Sequence, residues 1–129
     1  MAREPNDEVN RLSHEVIGAA IEVHRILCPG YLEAFYEEAL AVEFEGRGIP
    51  FVRQPSITVT YKNRLIGEGR LDFLVGDSLI VELKAIDALL PIHSAQVLSY
   101  LKSTRLSLGL LINFNVEVLK SGIKRIVLS

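Results

Sequence analysis

Two apolar, strand-like segments with a helical segment between them constrain the fold of this chain more than any other feature. LIVELKA at 79–85 is followed by SAQVLSYLKST at 94–104, which has the character of a helix, and then by LSLGLLINF at 106–114. This last run is almost wholly apolar and bounded by polar residues, as is typical of a central buried strand. Two strands joined through one helix become parallel neighbours by a right-handed crossover. The chain is therefore predicted to form a mixed sheet with helices packed on it, an α/β fold.

Two further helices are predicted before this unit. Apolar residues recur at helical spacing from Val9 to Leu27, and Pro29-Gly30 ends that pattern. A second helix is expected from about Leu32 to Glu45, before two glycines. Its inward residues are expected to be Leu32, Phe35, Tyr36, Ala39, Leu40 and Phe44.

After Pro50 the pattern changes from helical spacing to alternation. SITVTY at 56–61 and RLIGEGRLDFLV at 64–75 are predicted to be strands that form a meander with the strand at 79–85. IKRIVLS at 123–129 is predicted to be a last edge strand. The expected order of elements is α-α-β-β-β-α-β-β, with helices flanking the sheet.

Length and composition indicate a single domain. The chain has 129 residues, and we expect one domain at 9–129 after a flexible, polar N-terminus at 1–8. No apolar run approaches the roughly 20 residues that span a bilayer, and the start lacks a signal-peptide pattern. Cys28 is the one cysteine of the sequence, which excludes an intrachain disulfide. We expect a cytoplasmic protein that does not contact membranes.

Charge is distributed unevenly between the two parts of the chain. Residues 1–50 contain 4 Lys/Arg and 10 Asp/Glu, whereas residues 51–129 contain 10 Lys/Arg and 6 Asp/Glu, which gives −6 and +4. The basic part is compatible with a polyanionic partner, but the bias is mild. Charge therefore permits nucleic-acid binding without arguing for it.

Three charged residues, Asp72, Glu82 and Lys84, interrupt segments that otherwise look buried. Strand alternation places Glu82 and Lys84 on the same face of one strand. The position of Asp72 depends on the turn, because a two-residue turn pairs it with Val81 and a three-residue turn pairs it with Glu82. If the two acids cooperate, the turn must be Gly76-Asp77-Ser78.

Two facing carboxylates need a physical reason. At ~4 Å and an effective dielectric constant near 20 they repel by about 4 kcal/mol. An exposed ion pair with Lys84 returns only ~0.2–1 kcal/mol. A bound divalent cation explains the arrangement better, and hard oxygen ligands suit Mg²⁺ or Mn²⁺. The chemistry indicated is metal-dependent phosphodiester hydrolysis; the alternative is a surface cluster of ion pairs at a strand end.

Three motifs, taken in order, carry a resemblance to a known superfamily. Asp72, a gap of nine residues and then Glu82-Leu83-Lys84 resemble the D…(D/E)xK signature of the PD-(D/E)XK nucleases. QVLSY at 96–100 is similar to the QxxxY element of RecB-like members, and GYLEAFY at 30–36 is similar to the motif that names the GxxExxY family. The resemblance covers nearly the whole chain and implies a restriction-endonuclease-like core.

The resemblance also implies roles for single residues. Asp72 and Glu82 would be metal ligands, Lys84 would act on the attacking water, and Glu33 would complete or support the metal site. Gln96 would approach the lysine or a substrate phosphate.

Other residues are assigned more loosely. Tyr100 would support the site or touch substrate, and Tyr36, which shares the direction of Glu33, would also bind substrate. Both tyrosines are equally well explained as core aromatics. Arg70, two residues before Asp72 on the same predicted strand face, would hold a phosphate or balance Glu82. Glu37 and Glu38 are alternative ligands or part of a solvated face, and no histidine is expected to bind the metal.

The leading functional prediction is a small Mg²⁺- or Mn²⁺-dependent nuclease that acts on DNA or RNA. The chain has no room for a recognition domain, so specificity would come from a homodimer, a partner protein or the structure of the substrate. One alternative is a catalytically inactive nuclease-fold module that binds nucleic acid or protein. Another is a metal-dependent hydrolase of small phosphate compounds, which would need a closed pocket.

Overall fold

The computed structural model describes residues 4–128 and contains three α-helices and seven strands within that range. The helices are α1 (Asp7–Leu27), α2 (Glu33–Arg47) and α3 (Pro91–Thr104), and a 3₁₀ turn lies at Leu119–Gly122. The strands are β1 (Phe51–Arg53), β2 (Ser56–Tyr61), β3 (Arg64–Arg70), β4 (Phe73–Val75), β5 (Leu79–Lys84), β6 (Leu108–Asn113) and β7 (Ile123–Val127). The predicted α/β class with a mixed sheet is confirmed. In the described part of the chain, no helix is both long and apolar enough to cross a membrane.

The main sheet has the strand order β1-β4-β5-β6-β7. Strands β5 and β6 are parallel, and the other neighbouring pairs are antiparallel. All six residues of β6 are buried, because this strand lies inside the sheet with neighbours on both sides. The predicted crossover through α3 and the predicted edge position of β7 are both confirmed.

The predicted three-strand meander is wrong in one respect. The segment 64–75 forms two strands rather than one, since β3 ends at Arg70 and β4 begins at Phe73. Leu71 and Asp72 form a bend between them, where the Leu71 side chain enters a core and the Leu71 N–H donates to the Pro55 carbonyl (3.1 Å). As a result β2 and β3 form a separate two-stranded hairpin, and the short strand β1 pairs with β4 instead.

The two faces of the main sheet are covered by different helices. In β5 the side chains of Leu79, Val81 and Leu83 enter the large core formed with α1 and α2. The side chain of Ile80 enters a smaller core with Leu71 and with Leu101 of α3. Because side chains alternate along a strand, Glu82 and Lys84 share the face on which α3 packs.

The start of the first helix differs from the sequence-based expectation. Helix α1 already begins at Asp7, where the Asn6 side chain accepts a hydrogen bond from the Val9 N–H (3.0 Å). Asp7 and Glu8 are therefore helical rather than part of a flexible terminus, and residues 1–3 of that predicted terminus lie outside the described residues.

The expected inward face of α2 is also partly wrong. Leu32 is 74% exposed and Phe35 is 55% exposed. Leu32 precedes the first helical turn, and the buried stripe runs through Tyr36, Leu40 and Phe44 at intervals of four residues, so that Phe35 lies beside it rather than on it.

Candidate active site

The turn between β4 and β5 brings the two predicted acids together. The register pairs Phe73 with Val81 and Val75 with Leu79, which leaves a loop of the three residues Gly76-Asp77-Ser78. Continuing that register by one step places Asp72 opposite Glu82. The three-residue turn that cooperation of the acids requires is thereby confirmed.

Gly76 makes this turn sterically possible. Its φ of +56° lies in the left-handed region, and a Cβ built on it would lie 2.6 Å from Leu12 Cδ1 of α1. The turn is therefore packed directly against the first helix, which fixes its length and its conformation.

Asp72 is held in place by two hydrogen bonds from neighbouring segments. Its Oδ2 accepts from the Leu83 N–H of β5 (2.7 Å), and its carbonyl accepts from the Gln54 N–H (2.8 Å). One carboxylate oxygen is thus anchored to the strand that carries Glu82 and Lys84. The side chain is half-buried, so it remains accessible from one side.

Glu82 is the most unusual group of the site. Only 9% of the residue is exposed, and within residues 4–128 its buried Oε1 has no hydrogen-bond partner. Burial raises the pKa of Glu82 to about 9. Asp72 adds to the shift because it accepts a hydrogen bond from protonated Glu82 and because of its own negative charge, whereas Lys84 opposes the shift. A buried carboxylate oxygen without a donor is costly, and a cation is the ligand that would compensate for it.

Glu33 approaches the same site from the first turn of α2. Its half-buried side chain has a raised pKa, first because of burial and then because of the charge of Asp72, whereas Lys84 lowers it. Glu33 is therefore within electrostatic reach of both residues. In the part of the chain that the structure describes, however, no three His, Cys, Asp or Glu side chains converge on one ready-made metal position. Asp72 and Glu82 lie opposite each other. Metal binding by these two acids, and by Glu33 as a third ligand, stays a prediction.

Helix α3 contributes Tyr100 and Gln96 from the opposite side. Burial raises the pKa of Tyr100, and the charge of Glu82 adds to this shift, whereas the neighbouring Gln96 side chain lowers it. Tyr100 is half-buried, and Gln96 is exposed above it on the same helix face. Both residues thus lie at the acids, with Gln96 on the solvent side.

Tyr36 is a core residue rather than a substrate contact. It is fully buried and stacks on Phe114 with ring centroids 4.7 Å apart. Its hydroxyl donates to the Cys28 carbonyl (2.6 Å) and accepts from the Tyr31 N–H (3.2 Å). The prediction that Tyr36 binds substrate is wrong because no part of its side chain reaches solvent. The hydrogen bonds of its hydroxyl stabilise the loop that precedes Glu33.

Arg70 does not share a strand with Asp72. It is the exposed last residue of β3 and pairs with Ser56 in the separate hairpin. The argument from a common strand face is therefore wrong, because the chain bends at Leu71. A phosphate contact by Arg70 stays a prediction.

A network around Glu37 was missed from the sequence. Glu37 is 6% exposed and accepts hydrogen bonds from Arg53 Nε (2.8 Å) and Gln54 Nε2 (2.9 Å). Arg53 also binds Glu38 through two nitrogens. Gln54 adopts a left-handed φ of +54° and links this network to the Asp72 carbonyl. Glu37 is therefore neither an alternative ligand nor part of a solvated face. The one feature of the sequence that indicates its burial is its position between Tyr36 and Leu40, which are both buried residues of α2.

Asn113 is a second residue that sequence reasoning missed. It is 2% exposed, its Oδ1 accepts from the Ile86 N–H (3.1 Å), and its Nδ2 donates to the Ile86 carbonyl (2.9 Å). These bonds fix the loop that leaves β5 just after Lys84. The signal was available, because Asn113 is a polar residue at the end of a wholly apolar strand.

Two of the three histidines, His24 and His93, have structural partners. His24 Nε2 lies 2.6 Å from the Val116 carbonyl, and His93 Nδ1 accepts from the Leu90 N–H (2.9 Å) at the start of α3. His93 thus caps the N-terminus of α3.

Comparison with known families identifies the class of protein. The sequence matches the PD-(D/E)XK nuclease superfamily over residues 10–126, and the chain therefore belongs to this superfamily. The mixed sheet with flanking helices is consistent with the restriction-endonuclease-like fold. Members are nucleases that typically use divalent metals, so membership indicates nucleic acid as the class of substrate. No curated protein matches the chain.

Proposed function

We propose that the protein is a metal-dependent nuclease that hydrolyses phosphodiester bonds in DNA or RNA. Asp72 and Glu82 hold Mg²⁺ or Mn²⁺ in this proposal, and Lys84 acts beside them. The observation that carries it is the buried Glu82 Oε1, which has no hydrogen-bond partner within residues 4–128 and lies opposite Asp72. Membership of a nuclease superfamily supports the same conclusion.

The donor set fits a hard cation that keeps part of its own shell. Mg²⁺ is usually bound through one or two carboxylates, with waters and substrate phosphates as the remaining ligands. A pair of carboxylates, with Glu33 in electrostatic reach, suits that mode better than it suits a closed protein cage. When bound, such an ion supplies positive charge to a phosphate that accumulates negative charge.

The chain's own residues do the remaining work. The Lys84 ammonium, on the strand face of Glu82, donates hydrogen bonds to the attacking water or to a phosphate oxygen and stabilises the developing charge. The exposed Gln96 amide donates to a phosphate oxygen from α3. The Tyr100 hydroxyl orients either group from the half-buried wall behind them.

The finer assignment to the GxxExxY family is also part of the proposal. Gly30 has a left-handed φ of +118°, and the Tyr36 hydroxyl binds the backbone on both sides of it, at Cys28 and Tyr31. The glycine and the tyrosine of the motif therefore shape the loop together, and this loop delivers Glu33 to the acids. This arrangement supports the interpretation that Gly30, Glu33 and Tyr36 act together as one motif.

The catalytically inactive module is the second candidate. It is supported by the arrangement in which, among the described residues, paired donors rather than three converged ligands occupy the site. A homodimer or a partner protein would supply specificity in either case. The two candidates differ in whether metal binding and cleavage depend on the same residues.

The test measures Mg²⁺ and Mn²⁺ binding by calorimetry together with cleavage of single- and double-stranded DNA and RNA. Glu82→Gln should abolish metal binding and almost all cleavage, whereas Glu117→Gln, the same change at an exposed residue outside the site, should alter neither. Lys84→Ala should keep metal binding but lose cleavage. A wild type that binds no metal and cuts no substrate would contradict the nuclease proposal and favour the inactive module.

A further inference from the structure

The β2–β3 hairpin, residues 56–70, stands apart from the main sheet but adjoins the acids. Its two strands pair with each other in a separate sheet. Two hydrogen bonds close its base, one from the Leu71 N–H to the Pro55 carbonyl (3.1 Å) and one from the Gln54 N–H to the Asp72 carbonyl (2.8 Å). The base of the hairpin therefore lies next to Asp72, and a molecule bound along the hairpin would extend to this acid.

The inner side of the hairpin rests on the wall of the site. A Cβ built on Gly69 would lie 3.5 Å from Tyr100 Cε1 and 3.3 Å from Ile57 Cγ1. The glycine thus allows the hairpin to lie close against α3 at Tyr100. This contact fixes the direction in which the hairpin projects.

The outer part of the hairpin exposes apolar side chains that gain nothing from the fold. Tyr61 is 60% exposed, and Leu65 and Ile66 are each 63% exposed. They flank the tight two-residue turn at Lys62-Asn63. Val59 pairs with Gly67 and Thr60 pairs with Leu65, so Ile66 is an extra residue that forms a bulge in β3. A two-stranded hairpin is marginally stable by itself, so an apolar tip of this kind indicates a partner.

The charge of the hairpin indicates the chemistry of that partner. It carries Lys62, Arg64 and Arg70 against the single acid Glu68. In the described range none of these three cations forms an ion pair, so the hairpin keeps its excess of positive charge. Arg105 and Arg125 likewise form no ion pair there, whereas Arg11, Arg25, Arg47 and Arg53 do. Unpaired cations beside an acidic site are placed to bind phosphates that pass over it.

We propose that this hairpin is an arm that binds double-stranded DNA. Lys62 and Arg64 contact phosphates, and the tip of Tyr61, Leu65 and Ile66 enters the major groove. The inference rests on the proposed function, because it deepens the substrate class of the same site. The major groove of B-form DNA admits a two-stranded β-ribbon, whereas the major groove of an RNA duplex is too narrow for side chains to read.

The experiment follows fluorescence anisotropy of a labelled DNA duplex in Mg²⁺ over a series of salt concentrations. The parent is Lys84→Ala, which keeps the duplex uncut. Lys62→Ala/Arg64→Ala should weaken binding by about tenfold or more and reduce the salt slope by about two, because two phosphate contacts are lost. The matched control, Lys120→Ala/Arg125→Ala, removes one lysine and one arginine beside α1 and should bind like the parent.

The outcomes separate this inference from the catalytic proposal. Equal affinity and salt slope for the hairpin variant and the control would overturn it, as would a parent that binds no duplex or binds RNA and DNA duplexes equally well. If Leu65→Ser/Ile66→Ser converts a dimer to a monomer in sedimentation without changing DNA affinity, the tip contacts a second copy and the inference is also overturned. Metal binding and cleavage by the wild type report on the catalytic proposal independently.

Discussion

Glu37 and Glu82 are both about nine-tenths hidden from solvent, at 6% and 9% exposure, and both are linked to Asp72, yet their surroundings differ. Glu37 receives hydrogen bonds from Arg53 and Gln54. Glu82 keeps one buried oxygen without a partner among the described residues and faces another carboxylate. The first arrangement stabilises the fold, and the second costs stability. Burial of an acid therefore marks a functional site only when the partners are missing, and this difference can be tested at both positions.

The largest expected effect is on cleavage by Glu82→Gln. The variant keeps the shape of the side chain but removes the negative charge that we propose holds the metal. We expect the rate to fall by about a thousandfold, which corresponds to about 4 kcal/mol of lost transition-state stabilisation. Single-turnover cleavage measures it. Glu37→Gln assayed at a temperature where it is folded is the comparison, and an equal loss there would contradict the distinction between the two acids.

The second effect is the pH dependence of stability in the absence of metal. The pKa of Glu82 is raised from its ordinary 4.5 to about 9 in the folded state, so the folded protein holds an extra proton between these values. Its contribution to stability is fully present below pH 4.5, falls as pH rises and is lost above pH 9. Between pH 5 and pH 9 we expect the free energy of unfolding to fall by about 3 kcal/mol. This is less than the maximum that proton linkage allows for this pKa shift.

Urea unfolding in EDTA at several pH values measures this loss. Glu82→Gln should flatten the dependence and be more stable than the wild type at pH 8, because its side chain carries no charge to bury. Parallel pH curves for the two proteins would show that Glu82 is not the group that titrates.

The third effect concerns the stability contributed by Glu37. Glu37→Gln removes the negative charge of the carboxylate that accepts hydrogen bonds from Arg53 and Gln54. Hydrogen bonds to charged groups contribute about 1.5–3 kcal/mol to stability. We expect the free energy of unfolding to fall by about 2 kcal/mol in denaturant titration. Glu38→Gln, at an exposed partner of the same arginine, should have a smaller effect. A change at Glu38 as large as that at Glu37 would show that burial does not set the contribution.

The smallest effect is expected from Tyr36→Phe. The variant keeps the stacking on Phe114 and removes the hydroxyl that binds Cys28 and Tyr31. Stability should fall by about 1 kcal/mol. Because the loop positions Glu33, cleavage should fall severalfold through kcat rather than KM. Loss of stability with unchanged kcat would show that the loop does not influence the site.

Local physics accounts for the part of the site that the sequence predicts. Alternation along one strand places Glu82 with Lys84, and the turn places Asp72 opposite Glu82, so all three depend on neighbours close in the chain. Helical spacing likewise places Gln96 with Tyr100.

The parts that the sequence does not predict depend on distant contacts. Arg53 binds Glu37 across 16 positions of sequence, from a strand of three residues that carries no pattern. In the sequence, Leu71 is indistinguishable from the residues of a continuous strand. The chain bends there because the Leu71 side chain packs in the core beneath α3. The burial of Tyr36 likewise depends on Phe114, which is far along the chain.

The length of the β4–β5 turn has a consequence for how this chain can be altered, by evolution or by design. Removing one of the three turn residues would shift every pairing by one position and set Asp72 against Val81, which packs in the large core. One deletion would then separate the two carboxylates and force a charge toward apolar residues. The length of this turn and the pairing of Asp72 with Glu82 therefore cannot be changed independently, and a library that varies loop lengths should keep this turn at three residues.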